Sequence, residues 1–138
     1  MTILEVIMHP FRQAVEARDS AAIEALLADD VVFTSPVAHK PYSGKPITAA
    51  ILRAVMRVFE DFRYVREFDA GSDHALVFEA TVNGKKITGC DFLHTDENGR
   101  IDDLMVMVRP LSAANALAEA MAAQFPQIQS EALSGRHS

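Results

Sequence analysis

Residues 75–108, ALVFEATVNGKKITGCDFLHTDENGRIDDLMVMV, decide the fold. Residues 75–82 alternate between the two sides of a strand, with the more apolar set at the even positions, which is typical of a strand with one buried face. Asn83–Gly84 is the dipeptide preferred in two-residue hairpin turns. Residues 96–99, Asp-Glu-Asn-Gly, predict a second turn. The segment therefore predicts three consecutive antiparallel strands.

The rest of the chain is mainly helical before this segment and again after it. Apolar residues recur at three- and four-residue steps, which predicts amphipathic helices, and Pro10 predicts a kink or a late helix start. In chain order we expect a helix over 3–15, a helix from Ser20 that Asp29–Asp30 close, a strand over 31–35, a helix over 46–59, strands over 62–68, 75–82, 85–95 and 101–108, and a helix from about 110 to 125. Helices segregated from a run of antiparallel strands indicate the α+β class.

Composition narrows the possible partners. Thirteen Lys and Arg residues against nineteen Asp and Glu residues give a formal net charge of −6. Because phosphate backbones and anionic lipids attract clustered positive charge, we expect no nucleic-acid and no membrane partner. The densest apolar run, residues 104–108, is far shorter than the about twenty residues that span a bilayer.

The length of 138 residues predicts one domain, which we place at 1–125, followed by a flexible tail at 126–138. Cys90 is the only cysteine, so no internal disulfide is possible, and this fits a cytoplasmic protein. We expect its thiol to be buried in the core. No closely spaced group of His, Cys and acidic residues predicts a metal site, and we expect no cofactor.

The last strands predict an assembly. Residues 104–108 are apolar at every position, and Cys90, Phe92 and Leu93 make the neighbouring strand apolar on both sides. Since an antiparallel strand with one solvated face alternates, both faces of this sheet are expected to be covered. The helices cover one face, and a second copy of the chain is the simplest cover for the other, which predicts a homodimer. The alternative is that the C-terminal helix covers that face.

The segments 28–30 (ADD), 32–37 (VFTSPV) and 43–45 (SGK), continued by Asp91 and by 99–101 (GRI), resemble the nuclear transport factor 2-like superfamily over about residues 5–110. Its most similar branches are the SnoaL-like proteins and, more distantly, ketosteroid isomerase. The resemblance implies a cone-shaped, strongly curved antiparallel sheet wrapped around the N-terminal helices, as in a cystatin-like roll, with a deep and mainly apolar pocket. It also implies dimers that form through the outer face of the sheet.

Ketosteroid isomerase chemistry requires a general-base Asp, a Tyr and a protonated Asp. The position that matches the base is Ser35, and an unactivated serine cannot take a proton from carbon near neutral pH. The position that matches the Tyr is Phe11, which has no donor, whereas Asp91 matches the second Asp. We therefore expect no steroid isomerisation by that mechanism.

The candidate catalytic residues are Asp91, His39 and Tyr42. The resemblance implies that the Asp91 side chain points into the pocket, where burial would raise its pKa. The alternative is that Asp91 is paired with a backbone or side-chain group and has only a structural role. His39 and Tyr42 lie in the loop after the first strand, at the expected mouth of the cone, and each is equally compatible with a solvated or packing role. We expect the pocket to be lined by Phe11, Phe33, Ser35, Val37, Ile51, Val55, Phe59, Leu76, Phe78, Ala80, Leu93, Leu104, Val106 and Val108.

The sequence leaves three functions open. The first is cofactor-free acid/base catalysis of the isomerase, cyclase or dehydratase type on a small apolar or aromatic molecule, with Asp91 at its centre. The second is ligand binding without catalysis, and the third is protein interaction with a vestigial pocket. An open pocket in which Asp91 meets one further polar group favours the enzyme.

Overall fold

The computed structural model describes residues 8–135. The helices are α1 (Pro10–Glu16), α2 (Ser20–Leu26), α3 (Lys45–Val58) and α4 (Leu111–Gly135), and the strands are β1 (Leu27–Thr34), β2 (Tyr42–Ser43), β3 (Glu60–Ala70), β4 (Asp73–Val82), β5 (Lys85–Thr95) and β6 (Ile101–Arg109). None of the helices in this part of the chain is long and apolar enough to cross a membrane.

The six strands form one curved, unclosed sheet in the order β2-β1-β6-β5-β4-β3. Neighbouring strands are antiparallel except β1 and β6, which run parallel. One face of the sheet, here called the inner face, carries Leu76, Phe78 and Leu104 and packs against the helices. The α+β class and the curved sheet over helices, both predicted from the sequence, are confirmed.

The β4–β5 hairpin sets the register of the inner face. Asn83 and Gly84 adopt φ values of 48° and 79°, and positive φ at both central positions is what a type I′ turn requires. Val82 therefore pairs with Lys85, and the pairing continues to Leu76 opposite Asp91. The even-numbered residues of β4 from Leu76 to Val82 are buried, as the alternation predicts.

The N-terminal helices begin where their caps place them. Helix α1 starts at Pro10, the late start that the proline predicts, and the His9 ring accepts a hydrogen bond from the Phe11 amide at 3.0 Å. The predicted helical residues 3–7 lie outside the described part of the chain. Helix α2 ends at Leu26, so the prediction that Asp29–Asp30 close it was wrong. Pairing with β6 explains the early end, because it holds the chain extended from Leu27 onward.

The C-terminal region also differs from its prediction as a tail after Pro126. Helix α4 continues through Pro126 to Gly135, and Ile128 and Ala132 beyond the proline are 1% and 6% exposed. Pro126 cannot donate a backbone hydrogen bond to the carbonyl of Ala122, an exposed residue. Ile128 and Ala132 lie four residues apart, on the same face of the helix. The burial of these two apolar side chains holds the helix together in place of the missing hydrogen bond. Residues 136–138 lie outside the described range.

Two arginines fasten this extension to α3. The Arg53 guanidinium contacts the Glu131 carboxylate at 2.8 Å, and Arg57 contacts the same carboxylate at 3.5 Å. Arg57 also donates to the Gln124 side-chain oxygen at 2.8 Å. Helix α4 is therefore held along α3 on both sides of Pro126.

Candidate functional site

Asp91 lies on the inner face of the sheet. In β5 it stands between Cys90 and Phe92, which point the other way, and its cross-strand neighbours are Leu76 and Val106. Only 8% of Asp91 is exposed. Cys90 is only half-buried on the opposite, outer face, so the prediction of a buried core thiol was wrong; strand alternation gives the interior to Asp91 instead.

The partner of Asp91 is Tyr64, which is 6% exposed on β3. The Tyr64 hydroxyl donates a hydrogen bond to Asp91 Oδ2 at 2.6 Å. This distance is at the short end for O–H···O hydrogen bonds. The pair joins two strands that are not neighbours, since β4 lies between them.

Tyr64 could not be predicted as a site residue from the sequence, because a β-bulge reverses the orientation of its side chain. Counting back from the pairing of Ala70 with Asp73 without a bulge sets Tyr64 opposite Glu79, on the outer face. The strand shifts register between Tyr64 and Arg66, so Tyr64 instead pairs with Phe78 on the inner face. One extra residue in a strand turns every later side chain to the other face, and sequence alternation does not reveal it.

Burial and the hydrogen bond act in opposite directions on the acid. Burial raises the pKa of Asp91 from 3.8 to about 7, and the hydrogen bond from Tyr64 limits the rise. Burial and the nearby Asp91 charge raise the pKa of Tyr64 well above its usual value of 10. Near neutral pH the Tyr64 hydroxyl thus keeps its proton, and the Asp91 carboxyl exchanges its own. This is the range in which a general acid or base works best.

The pair forms part of the wall of a cavity of about 150 Å³, here called the main cavity. Most of its lining is apolar, and an aromatic cluster that surrounds the Phe78 ring is one side of it; Phe62 stacks on Phe78 with centroids 4.9 Å apart. Its lining comprises Phe11, Val15, Glu16, Arg18, Ile23, Phe33, Ser35, Pro36, Val37, Ile51, Leu52, Val55, Met56, Phe59, Phe62, Tyr64, Phe78, Asp91, Val106, Leu117 and Met121.

The aromatic wall depends on a glycine. A Cβ at position 89 would collide with Phe78 Cζ and would lie 2.8 Å from the Met107 carbonyl oxygen. The Phe78 ring therefore occupies the space that any side chain at 89 would need. Gly89 lets this ring lie against β5 beside the main cavity.

Most of the predicted lining residues meet at the main cavity. They are Phe11, Phe33, Ser35, Val37, Ile51, Val55, Phe59, Phe78 and Val106, together with Asp91. The other five line neither cavity described here and pack into the core instead: Leu76, Ala80, Leu93, Leu104 and Val108. They belong to β4, β5 and β6, the strands that α4 contacts.

The two other candidate catalytic residues, His39 and Tyr42, follow β1 in the chain but lie in different surroundings. The Ser35 hydroxyl oxygen accepts hydrogen bonds from the amides of Val37 and Ala38 at 3.1 and 3.2 Å, which closes a tight turn after β1. Tyr42 lines a second cavity beside the main one, whereas His39 is exposed and lines neither cavity. Neither His39 nor Tyr42 lines the main cavity with Asp91, and a catalytic role for either stays a prediction.

Two charged residues that the sequence did not single out also line the main cavity. The Glu16 carboxylate accepts a hydrogen bond from Arg12 at 3.2 Å, and Arg18 donates to the Met56 carbonyl at 2.7 Å. Both residues are exposed at the end of α1, so they mark an opening of the cavity to solvent. Among residues 8–135, no three His, Cys, Asp or Glu side chains form a group that could hold a metal ion.

A curved sheet, helices across its inner face and a buried acid in an apolar cavity define a class of cone-shaped α+β proteins built around a small internal compartment. The model of the SnoaL-like domain matches residues 9–104. The chain belongs to the SnoaL-like family, and its fold is that of the NTF2-like superfamily. A search among curated proteins found no significant match.

Solved structures agree with this assignment. A steroid delta-isomerase from Pseudomonas aeruginosa is 39% identical, with a TM-score of 0.82 over 87% of this chain and 89% of that one. An uncharacterized protein with a cystatin-like fold from Silicibacter pomeroyi DSS-3 is 35% identical, with a TM-score of 0.80 over 90% and 95%. A protein from Shewanella denitrificans OS-217 with the suggested role of a SnoaL-like polyketide cyclase is 17% identical and shares the fold, with a TM-score of 0.62 over 80% and 93%.

Proposed function

We propose that the protein binds a small, mainly apolar molecule with one carbonyl-type oxygen and moves protons on it without a cofactor, as an isomerase or cyclase does. The observation that carries this proposal is the 2.6 Å hydrogen bond between Tyr64 and Asp91 in the wall of the main cavity. An apolar cavity with few convergent polar groups, one of them with a shifted pKa, is the usual form of a small-molecule site. The 39% identical steroid delta-isomerase supports an isomerase type.

In the proposed reaction Asp91 is the acid. Its neutral carboxyl gives its proton to the ligand oxygen, and the resulting carboxylate keeps the hydrogen bond from Tyr64. The pKa of Asp91, raised to about 7 by burial, keeps this carboxyl protonated in mildly acidic to neutral solution. Because the wall is apolar, the hydrogen bond between Tyr64 and the Asp91 carboxylate is stronger there than it would be in water.

The proton acceptor is Glu16, the other carboxylate of the cavity lining. It takes a proton from the carbon next to the ligand oxygen while Asp91 protonates that oxygen, so an enol forms and no charge accumulates on the ligand. When the enol is conjugated with a C=C bond, Glu16 returns its proton to the far carbon of that bond while the enol hydroxyl gives its proton back to Asp91, which yields an isomer and regenerates both groups. Arg12 donates a hydrogen bond to the Glu16 carboxylate at 3.2 Å and so holds it in place at the end of α1.

Hydrogen–deuterium exchange tests this assignment with acetophenone, a ketone of suitable size, as the probe. In deuterated buffer the wild type should accelerate exchange of the methyl protons next to the carbonyl, followed by proton NMR. Asp91→Asn and Glu16→Gln should each slow this exchange at least about tenfold, since positioned acids and bases contribute about 10²–10⁴-fold. The exposed Asp29→Asn serves as the matched control and should exchange at the wild-type rate.

One feature favours a second function, ligand binding without turnover. At the position where ketosteroid isomerase has its base, this chain has Ser35, whose oxygen already accepts two backbone hydrogen bonds. In that case acetophenone binds, and its affinity changes with pH near the pKa of Asp91. The protein then does not accelerate hydrogen–deuterium exchange beyond the rate in buffer alone, so Asp91→Asn and Glu16→Gln leave the exchange rate unchanged. A wild type that neither binds acetophenone nor exchanges its protons contradicts both functions.

We also propose that two copies pair through the outer face of the sheet. Phe68, Phe92 and Met107 are 55%, 37% and 54% exposed on this face. Phe92 pairs with Met105, and Cys90 pairs with Met107, so apolar side chains run across neighbouring strands. Helix α4 packs against β4, β5 and β6 on the inner face, where the buried residues of these strands lie, which leaves the outer face for a second copy.

A further inference from the structure

A second cavity lies beside the main one. Its volume is about 180 Å³, and it shares with the main cavity the lining residues Phe33, Ser35, Val37, Ile51 and Met121. Because five side chains line both, the two cavities are neighbours along the same part of the sheet. Met121 is the most adaptable of the shared side chains, since it is unbranched and has three rotatable bonds.

Helix α4 supplies much of the second wall, so we call this space the α4 cavity. Five of its lining residues belong to that helix: Ala118, Met121, Ala122, Phe125 and Ile128. All five lie beyond residue 104, where the match to the SnoaL-like domain ends. This part of the wall of the α4 cavity thus lies outside the matched domain.

The linings of the two cavities differ in charge. The main cavity includes Asp91, Glu16 and Arg18, whereas the α4 cavity has no charged side chain among the described residues, and its polar groups are Ser35 and Tyr42. An apolar group enters such a space with favourable loss of hydrated surface. A charged group does not, because nothing there would compensate for its lost water.

The volumes indicate what the main cavity holds alone. A dry cavity of about 150 Å³ accepts a molecule of about the size of benzene. Opening into the α4 cavity roughly doubles the space, and small-molecule sites usually start at about 300 Å³. A ligand that carries more than a ring and a small substituent therefore needs both cavities.

We propose that the two cavities hold one elongated, uncharged ligand, with its oxygen at Asp91 and an apolar extension in the α4 cavity, and that Ala118 and Ala122 set the length of this extension. This inference rests on the proposed function, since it uses the oxygen site at Asp91 as the anchor. Ala118 and Ala122 lie one helical turn apart, and both line the α4 cavity. Larger side chains at these positions would fill the space that the extension occupies.

Acetophenones with a growing alkyl group opposite the carbonyl test the inference. In the wild type, affinity measured by NMR titration should rise from acetophenone to 4-butylacetophenone by about twofold to fourfold for each carbon that enters the α4 cavity. Ala118→Leu and Ala122→Leu should weaken 4-butylacetophenone at least tenfold and change acetophenone less than twofold. The same substitution at the exposed Ala123, which lines neither cavity, is the control and should bind both ketones as the wild type does.

The outcomes separate this inference from the proposed function. Equal wild-type affinities for the two ketones, or equal losses for both in Ala118→Leu and Ala122→Leu, overturn the role of the α4 cavity. If exchange of acetophenone still depends on Asp91 in that case, the proposed function stands alone. A wild type that binds neither ketone overturns both. Circular dichroism confirms that each leucine variant is folded, and Ala122, which is exposed, provides a variant that the fold tolerates.

Discussion

Replacing Asp91 with Asn should make the folded protein more stable at high pH and leave it nearly unchanged at low pH. The pKa of Asp91 is raised by burial from 3.8 to about 7, so the folded state holds a proton that the unfolded state has already lost between these values. The stability of the wild type therefore falls as pH rises through this window. Below pH 3.8 Asp91 is protonated in both the folded and the unfolded state. The carboxyl then does not lower the free energy of unfolding relative to the Asn variant.

The magnitude follows from the width of the window. A difference of about three pH units at about 1.4 kcal/mol each gives a penalty of roughly 4 kcal/mol above pH 7. An Asn side chain has nearly the same shape as a neutral carboxyl and can still accept the hydrogen bond from Tyr64. The stability of Asp91→Asn relative to the wild type should thus increase by up to about 4 kcal/mol from about pH 4 to pH 8.

Urea denaturation at a series of pH values measures this difference directly. Subtracting the two free energies of unfolding at each pH removes the contribution of groups that titrate alike in both proteins. Asp29→Asn, at an exposed position of β1, should show no such trend. A difference between wild type and Asp91→Asn that stays constant from about pH 4 to pH 8 would refute the reasoning, because it would mean that Asp91 ionises at its ordinary pKa.

Further substitutions test the hydrogen bond to Asp91, the aromatic wall of the cavity and the outer face of the sheet. Tyr64→Phe removes a hydrogen bond that lowers the pKa of Asp91, so the midpoint of its titration, measured by the pH dependence of probe binding, should rise by about one to two units; an unchanged midpoint contradicts this. Gly89→Ala should displace Phe78 and lower the free energy of unfolding by about 1–3 kcal/mol; an unaltered urea midpoint means that the ring moves freely. Met107→Glu should turn a dimer into a monomer by light scattering, and an unchanged mass places any interface elsewhere.

The orientation of Asp91 could be worked out from the sequence, but only through its neighbour. Alternation within 85–95 leaves it open, since Cys90 and Phe92 on either side are also apolar. The two-residue turn at Asn83–Gly84 fixes the pairing of the hairpin, and that pairing sets Asp91 opposite the inward Leu76. Local turn chemistry was therefore sufficient for this half of the site.

Tyr64 and α4 lay beyond such reasoning for different physical reasons. The position of Tyr64 depends on a bulge, which leaves no signal in the alternation of apolar and polar residues. The continuation of α4 past Pro126 depends on the burial of Ile128 and Ala132, a tertiary effect that outweighs the local preference of proline. In both cases contacts between distant parts of the chain decide the outcome.

The parallel pairing of β1 with β6 has a consequence for how the protein reaches its working form. Leu27 and Phe33 find their strand partners at Ile101 and Leu104, some seventy residues later in the chain. Closing so large a loop is slow compared with forming the β4–β5 hairpin. The compartment therefore gains its β1 wall late in assembly, and a chain still emerging from the ribosome cannot sequester a ligand before β6 has been made.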